Sequence, residues 1–250
     1  IVTAKARTRR LRNRINPFSI IYEVVFNVFS LARLCKNEQV NVMIGNTFRS
    51  ALYASLSKFI VRKPLIWHHH HSMPNGFALQ FVSKKSDIII TNSNYLKREL
   101  LDYGISEDKV EVVYNGLDIE PHKPRLINKK AALTLINIGK IMPAKNQLDF
   151  IKLIAELSIN DDCRGIIVGQ ASDRTYYQYI RNYAEDHKVS IEWAGSTPDI
   201  SKYYERADIL VSTSLSEAFG LTIAESFLYG CPAFAYAVGG IPELFDETQK

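Results

Sequence analysis

The sequence predicts an α/β protein made of two consecutive domains, each with a parallel sheet. Short β-branched runs alternate with longer segments of helical period along nearly the whole chain. The runs of the second half are apolar at successive positions rather than at every second one, the pattern of strands buried on both faces. The alternation is interrupted once, by the polar, proline-punctuated stretch NGLDIEPHKPRLINKK at residues 115–130, which reads as a linker. The expected domains are residues 1–120 and 131–250, with 121–130 as the connection.

The chain opens on a basic run, KARTRRLRNR at residues 5–14, followed by an amphipathic segment at 17–35. Lys5, Arg7, Arg9, Arg10, Arg12 and Arg14 outweigh the formal net charge of +5, so the remainder is close to neutral. A solvated charge run is the plain reading; the functional alternative is a surface that docks on anionic lipid. Nucleic-acid binding is not expected, because no aromatic-interleaved basic motif accompanies these charges. The most apolar window, residues 18–34, is interrupted by Glu23, Asn27 and Arg33, and falls short of the roughly 20 apolar residues a spanning helix needs.

Strands are then expected at VNVMI (40–44), PLIWHH (64–69), DIIIT (87–91) and KVEVVY (109–114). RSALYASLSKFI and SNYLKRELLDYG read as helices between them, the second capped by Ser93 or Asn94 and stopped by Gly104. In the second half the expected strands are LTLINIG (133–139), GIIVG (165–169), VSIEWAG (189–195), ADILVS (207–212) and PAFAYA (232–237). Helical segments at about 145–157, 173–187, 198–206 and 221–229 separate them.

At 250 residues and 46% hydrophobic composition, the chain can bury a sizeable core. Its cysteines, Cys35, Cys163 and Cys231, are odd in number and far apart, which favours a reducing, cytoplasmic setting over a disulfide scaffold or a zinc site. The sequence starts at Ile1 and stops at Lys250, shortly after the apparent helix start IPELFDETQK, so both ends are expected to be truncated.

Open parallel sheets bind ligands beyond the carboxyl ends of their strands, which directs attention to the segment after each run in the second half. After ADILVSTS comes LSEAFGLTIAESFLYGCP. Glu217 lies in the loop, Gly220 permits close backbone approach, and a helix starting near Leu221 directs its unpaired N–H groups into the same crevice, a ready anion site. Glu225, about one turn in, can accept hydrogen bonds from a sugar or ribose diol. After the first strand of this half, GKIMPAKNQ places Lys140 and Lys145 around the turn at Gly139, two ammonium groups suited to a diphosphate. After the fifth, AVGGIPEL offers Gly239 and Gly240 as a further set of backbone donors, with Pro242 at the expected first helical position. Each feature alone is ordinary surface chemistry; their recurrence at three strand ends is not.

These residues resemble a known family. SEAFGLTIAESFLYGCPAFAYAVGGIPEL resembles the E-x7-E region of retaining glycosyltransferases of family 4, INIGKIMPAKN their G-R-x-x-x-x-K phosphate loop, and VEVVYNGLDIEPHKP their N-G-x-D interdomain segment. The resemblance implies the GT-B fold, two Rossmann-like domains facing across a cleft, with N- and C-terminal portions missing here. It implies transfer of a sugar from a nucleotide diphosphate-sugar to a glycan or lipid-linked acceptor, with retention of configuration and without cofactor or catalytic metal. By position, Lys140 and Lys145 would contact the donor diphosphate, Glu217 the sugar hydroxyls and Glu225 the ribose. Backbone amides at Phe219, Gly220 and Leu221 would serve sugar and phosphate, and the loops after Gly169 and Gly195 would lie along the base. Lys140 departs from the family's usual arginine, keeping the charge but losing the bidentate fork. An epimerase or hydrolase on the same fold, and an inactive nucleotide-sugar binding remnant, are the competing readings; donor turnover without acceptor, or binding without transfer, separates them.

Four consecutive histidines, His68, His69, His70 and His71, end the second expected strand. Alternation puts His68 and His70 on one face and His69 and His71 on the other, so they do not converge on one metal ion while the strand lasts. In the resembling family a histidine at this strand end faces the donor sugar, and His70 fits that position best, followed by His71. The catalytic set implied is therefore His70, Lys145 and Glu217.

Overall fold

The computed structural model describes residues 17–122, 132–159 and 162–245. It divides into two compact units, residues 1–114 and 115–250. The basic run at 5–14 and most of the expected linker lie outside the described residues.

The first unit holds a parallel sheet of β1 (Met43–Gly45), β2 (Leu65–His69), β3 (Ile88–Thr91) and β4 (Val110–Val112), paired in chain order. Between them run α2 (Phe48–Val61), α3 (Phe77–Lys85) and α4 (Asn94–Asp102), with α1 (Pro17–Asn37) before β1. Ser93 caps α4 by accepting from the Leu96 amide at 3.2 Å. Thr47 and Ser50 form a reciprocal capping box at the start of α2. Helix α3 was not expected from the sequence; it is nine residues long and its buried side is only Leu79, Val82 and Ser83. Three successive right-handed crossovers in one direction place α2, α3 and α4 on the same face. Ala51, Leu79, Val82 and Leu100 accordingly pack with Trp67, Ile89 and Val110. On the opposite face Ile44 is 66% and Ile88 42% exposed among the described residues.

The second unit holds β5 (Leu133–Ile138), β6 (Cys163–Val168), β7 (Ile191–Gly195), β8 (Ile209–Ser212) and β9 (Ala233–Ala235), all parallel, in the order β7-β6-β5-β8-β9. Here both faces are covered. Leu135 and Ile167 pack with Phe150, Ile151 and Ile154 of α5 (Gln147–Leu157) and Ile180 of α6 (Arg174–Asp186). Their neighbours Ile136 and Ile166 pack with Tyr203 and Tyr204 of α7 (Ser201–Arg206) and Ile223 of α8 (Leu221–Leu228). Successive residues thus serve opposite cores, as period-two geometry requires, each large side chain contributing about 1.5–3 kcal/mol. IPELF begins as a 3₁₀ turn, Ile241–Leu244; the remainder of that segment, from residue 246, lies outside the described residues. The three cysteines are buried thiols. Among the described residues, no helix is long and apolar enough to cross a membrane.

Candidate functional site

The strand order of the second unit reverses between β5 and β8. Chains leaving these neighbours turn to opposite sides, which opens a crevice at their carboxyl ends. The loop after β5 starts at Gly139, whose N–H donates to the Val168 carbonyl at 2.9 Å. Gly169 donates in turn to Gly195 at 2.8 Å, so the ends of β5, β6 and β7 are stitched side by side. A Cβ at Gly169 would sit 1.8 Å from the Gly139 carbonyl oxygen, so this approach requires glycine.

Beyond Gly139 the chain forms a 3₁₀ turn, Pro143–Lys145, then Asn146 in the left-handed region at φ 48° before α5 begins. The helix therefore starts at Gln147, and Lys145 lies on the turn preceding it rather than at its first residue. Its ammonium pairs with Glu217 Oε1 across the reversal point, where Ser214 Oγ also donates to Oε1 at 3.2 Å. Thr213, one residue past β8, locks the two loops together: its hydroxyl donates to the Asn146 carbonyl at 2.9 Å, and the Leu215 amide donates to Ala144 at 2.9 Å. An ammonium has three donors and a carboxylate several acceptor sites, so both members retain capacity for a ligand. Lys140 is exposed; its carbonyl accepts from Gln147 Nε2 at 3.1 Å.

Gly220 caps α8 in the left-handed region at φ 97°, with no side chain capping the helix. Its carbonyl takes the Ile223 and Ala224 amides at 3.0 and 3.2 Å, which leaves the amides of Leu221 and Thr222 outside the helical ladder. Phe219 is buried and Leu221 is 43% exposed. Gly239 and Gly240 serve a structural purpose that the sequence did not disclose. The Gly240 amide donates to the Glu217 carbonyl at 3.0 Å, and a Cβ on Gly239 would come within 1.8 Å of that oxygen. Glu225 is half-buried, and burial raises its carboxyl above the usual range despite a hydrogen bond from Tyr204 Oη at 3.1 Å. Thr213, Ser214 and Tyr204 were missed in the sequence; the polar run directly after β8 was the available signal for the first two.

In the first unit β2 ends at His69, and the alternation follows expectation. His69 is buried, its ring 4.6 Å from that of Trp67, and burial, followed by the neighbouring His71 and His70, lowers its pKa to about 4. His68 and His70 share the other face with rings 3.8 Å apart. Asn46 Oδ1 lies 3.1 Å from His68 Nδ1 and 3.0 Å from His70 Nε2. A carbonyl oxygen only accepts, so both contacts require N–H, fixing His68 as the Nδ1–H and His70 as the Nε2–H tautomer. Burial lowers both pKa values, and His70 Nδ1 keeps a lone pair available to accept. His71 is exposed. Among the described residues, no three His, Cys, Asp or Glu side chains are grouped to hold a metal ion.

The family described as Glycosyl transferases group 1 matches residues 118–250, more than half of the chain. The chain belongs to that family. Residues 4–121 match a second family, Glycosyltransferase Family 4. It is similar to the structure of Anabaena Alr3699/HepE in complex with UDP and glucose, with a TM-score of 0.78 at 21% identity, covering 94% of this chain and 68% of that one. It shares with that protein the parallel-sheet α/β domains of the GT-B fold. An uncharacterized 41.2 kDa protein of the Klebsiella pneumoniae cps region is 26% identical over 176 residues, 67% of this chain and 48% of that protein. The N-acetylgalactosamine-N,N'-diacetylbacillosaminyl-diphospho-undecaprenol 4-alpha-N-acetylgalactosaminyltransferase of Campylobacter jejuni is 21% identical, covering 94% of this chain and 68% of that one. The chain spans about half the length of the first curated relatives it matches.

Proposed function

We propose that the chain forms the donor-binding and part of the acceptor-side machinery of a retaining, metal-independent glycosyltransferase. The reaction moves a sugar from a nucleotide diphosphate-sugar to a glycan or lipid-linked acceptor. The observation that carries this reading is the Lys145–Glu217 pair held at the strand-order reversal, in the loop that leads to the open start of α8. As the bond between the anomeric carbon and the diphosphate oxygen breaks, negative charge grows on the diphosphate. Lys145, Lys140 and the amides at Leu221 and Thr222 supply the compensating positive charge that a metal ion supplies elsewhere. Glu217 then takes the sugar hydroxyls, Glu225 the ribose diol, and His70 Nδ1 accepts from a sugar hydroxyl. The UDP and glucose of the Anabaena complex and the diphospho-undecaprenol in the name of the Campylobacter enzyme support a nucleotide-sugar donor and a lipid-linked acceptor; polysaccharide or lipopolysaccharide assembly is the proposed setting. A cytoplasmic setting, with the basic segment at 5–14 meeting an anionic membrane face, completes the proposal.

A panel of nucleotide-sugars tested by thermal shift, followed by transfer assays with chelator on the polypeptide extended to the length of its relatives, tests it. Stabilisation by one donor and chelator-resistant transfer are the expected results. Transfer that chelator abolishes and a divalent ion restores would overturn metal independence, and isomerised sugar formed without acceptor would replace transfer by epimerisation.

A further inference from the structure

A second concentration of charge lies in the first unit, at the amino-terminal end of its sheet and therefore opposite the end that carries the histidines. There a cavity of about 470 Å³ is lined by Lys58, Arg62, Lys63, Lys84, Lys85 and Lys109, with Asp87 as its one carboxylate. The five residues of β2 separate it from His70 by roughly 16 Å. The cations come from three places in the sequence, the end of α2, the end of α3 and the turn before β4, so the fold and not a local charge run gathers them.

Part of this charge has a structural purpose. The carboxyl end of a helix attracts cations, and Lys58 Nζ donates to the Lys85 carbonyl at 2.8 Å and to Asp87 Oδ2 at 2.6 Å. Lys109 Nζ donates to the Ser86 carbonyl at 3.2 Å, and Lys85 lies over the Phe59 ring at 4.4 Å. These contacts account for three of the six. Arg62, Lys63 and Lys84 make no ion pair among the described residues. Arg62 also ends α2 in the left-handed region at φ 49°, a position where glycine is ordinarily preferred. Three unpaired like charges around one cavity repel one another, and only an anion between them turns that repulsion into attraction.

We propose that this cavity is an anion site for a phosphate group, either that of a free diphosphate-bearing molecule or the headgroup of an anionic phospholipid. It is separate from the donor crevice of the second unit. Arg62, Lys63 and Lys84 supply the charge-assisted hydrogen bonds, while Lys58 and Lys109 hold the walls.

The test compares the parent with an Arg62→Ala/Lys63→Ala/Lys84→Ala variant, which leaves the contacts of Lys58 and Lys109 in place. Pyrophosphate is titrated by calorimetry in a Lys140→Ala/Lys145→Ala background, so that donor-site binding is weakened equally in parent and variant, and vesicles of phosphatidylglycerol or of phosphatidylcholine are used in co-sedimentation. A drop of about tenfold or more in pyrophosphate affinity is expected, restored by an Arg62→Lys/Lys84→Arg variant that keeps the charge. A drop confined to phosphatidylglycerol vesicles would assign the site to a lipid headgroup. If the parent binds neither probe, or the triple variant binds both as the parent does, the site does not exist. Neither result bears on the Lys145–Glu217 crevice.

Discussion

In the first unit the strands pair in chain order, whereas in the second the order reverses between β5 and β8. The same kind of parallel strand therefore produces two different kinds of strand end. Without a reversal, the loops after β1 and β2 leave in the same sense and stay adjacent, so Asn46 reaches His68 and His70 and the polar groups bind one another. With a reversal, the loops after β5 and β8 part, and the Lys145–Glu217 pair stands in the opening with hydrogen-bonding capacity left over. Sheet coverage follows the same division, for among the described residues the second sheet is packed on both faces and the first on one. Under the proposed function, charge stabilisation falls to the second unit and a supporting contact to the first.

The largest expected effect tests that assignment directly. Lys145→Ala should lower turnover of the extended enzyme about 100- to 1000-fold, or roughly 2.7–4 kcal/mol, as loss of one donor to a developing anion does. Steady-state transfer measures it, and a rate near the parent's would dissolve the contrast between the units. Lys140→Arg should be tolerated.

Stability against acid should instead belong to the first unit. His69 is buried neutral with a pKa of about 4 against an ordinary 6.5. Below pH 6.5 the unfolded chain binds a proton that the folded one refuses, so the contribution is complete above 6.5 and is lost as pH falls towards 4. About 3 kcal/mol is at stake over that window. Urea unfolding of parent and His69→Phe at pH 7 and pH 5 should show a smaller acid loss in the variant; equal losses would remove His69 as the cause.

Two smaller effects sharpen the comparison. Glu225→Ala should weaken binding of the nucleotide diphosphate alone by about 1–3 kcal/mol, through loss of charged hydrogen bonds. An unchanged dissociation constant takes Glu225 away from the ribose. His70→Ala should cost about tenfold in turnover, the worth of one hydrogen bond, while nucleotide affinity stays near the parent's. A parallel loss of nucleotide affinity would place His70 with the donor phosphates rather than the sugar.

Much of this was legible without coordinates. The alternation of runs marked all nine strands of the described residues, with errors at their ends such as β1, which starts at Met43 rather than at residue 40. The capping Ser93, the left-handed Gly104 and the start of α8 at Leu221 all follow from local chemistry, because caps and turns involve residues a few positions apart. Helix α3 escaped notice because nine residues with three buried positions hold too little periodicity. Tyr204 and Asn46 also escaped, since each acts on a partner about 20 residues or more away.

The sequence by itself determined which segments are strands and helices, and which family its glutamates and phosphate loop resemble. These properties reside in residue type and short spacing. Tertiary structure alone decided the order of the strands, and with it everything that order brings together. Lys145 and Glu217 lie 72 residues apart and meet because β8 pairs with β5 instead of β7. Period-two patterning records that a strand is buried, not which strand lies beside it, because any apolar neighbour satisfies the same face. The histidines show the same limit within four residues: alternation separated them into two pairs, and the packing of α2, α3 and α4 on one face decided that His69 is buried and His70 is not.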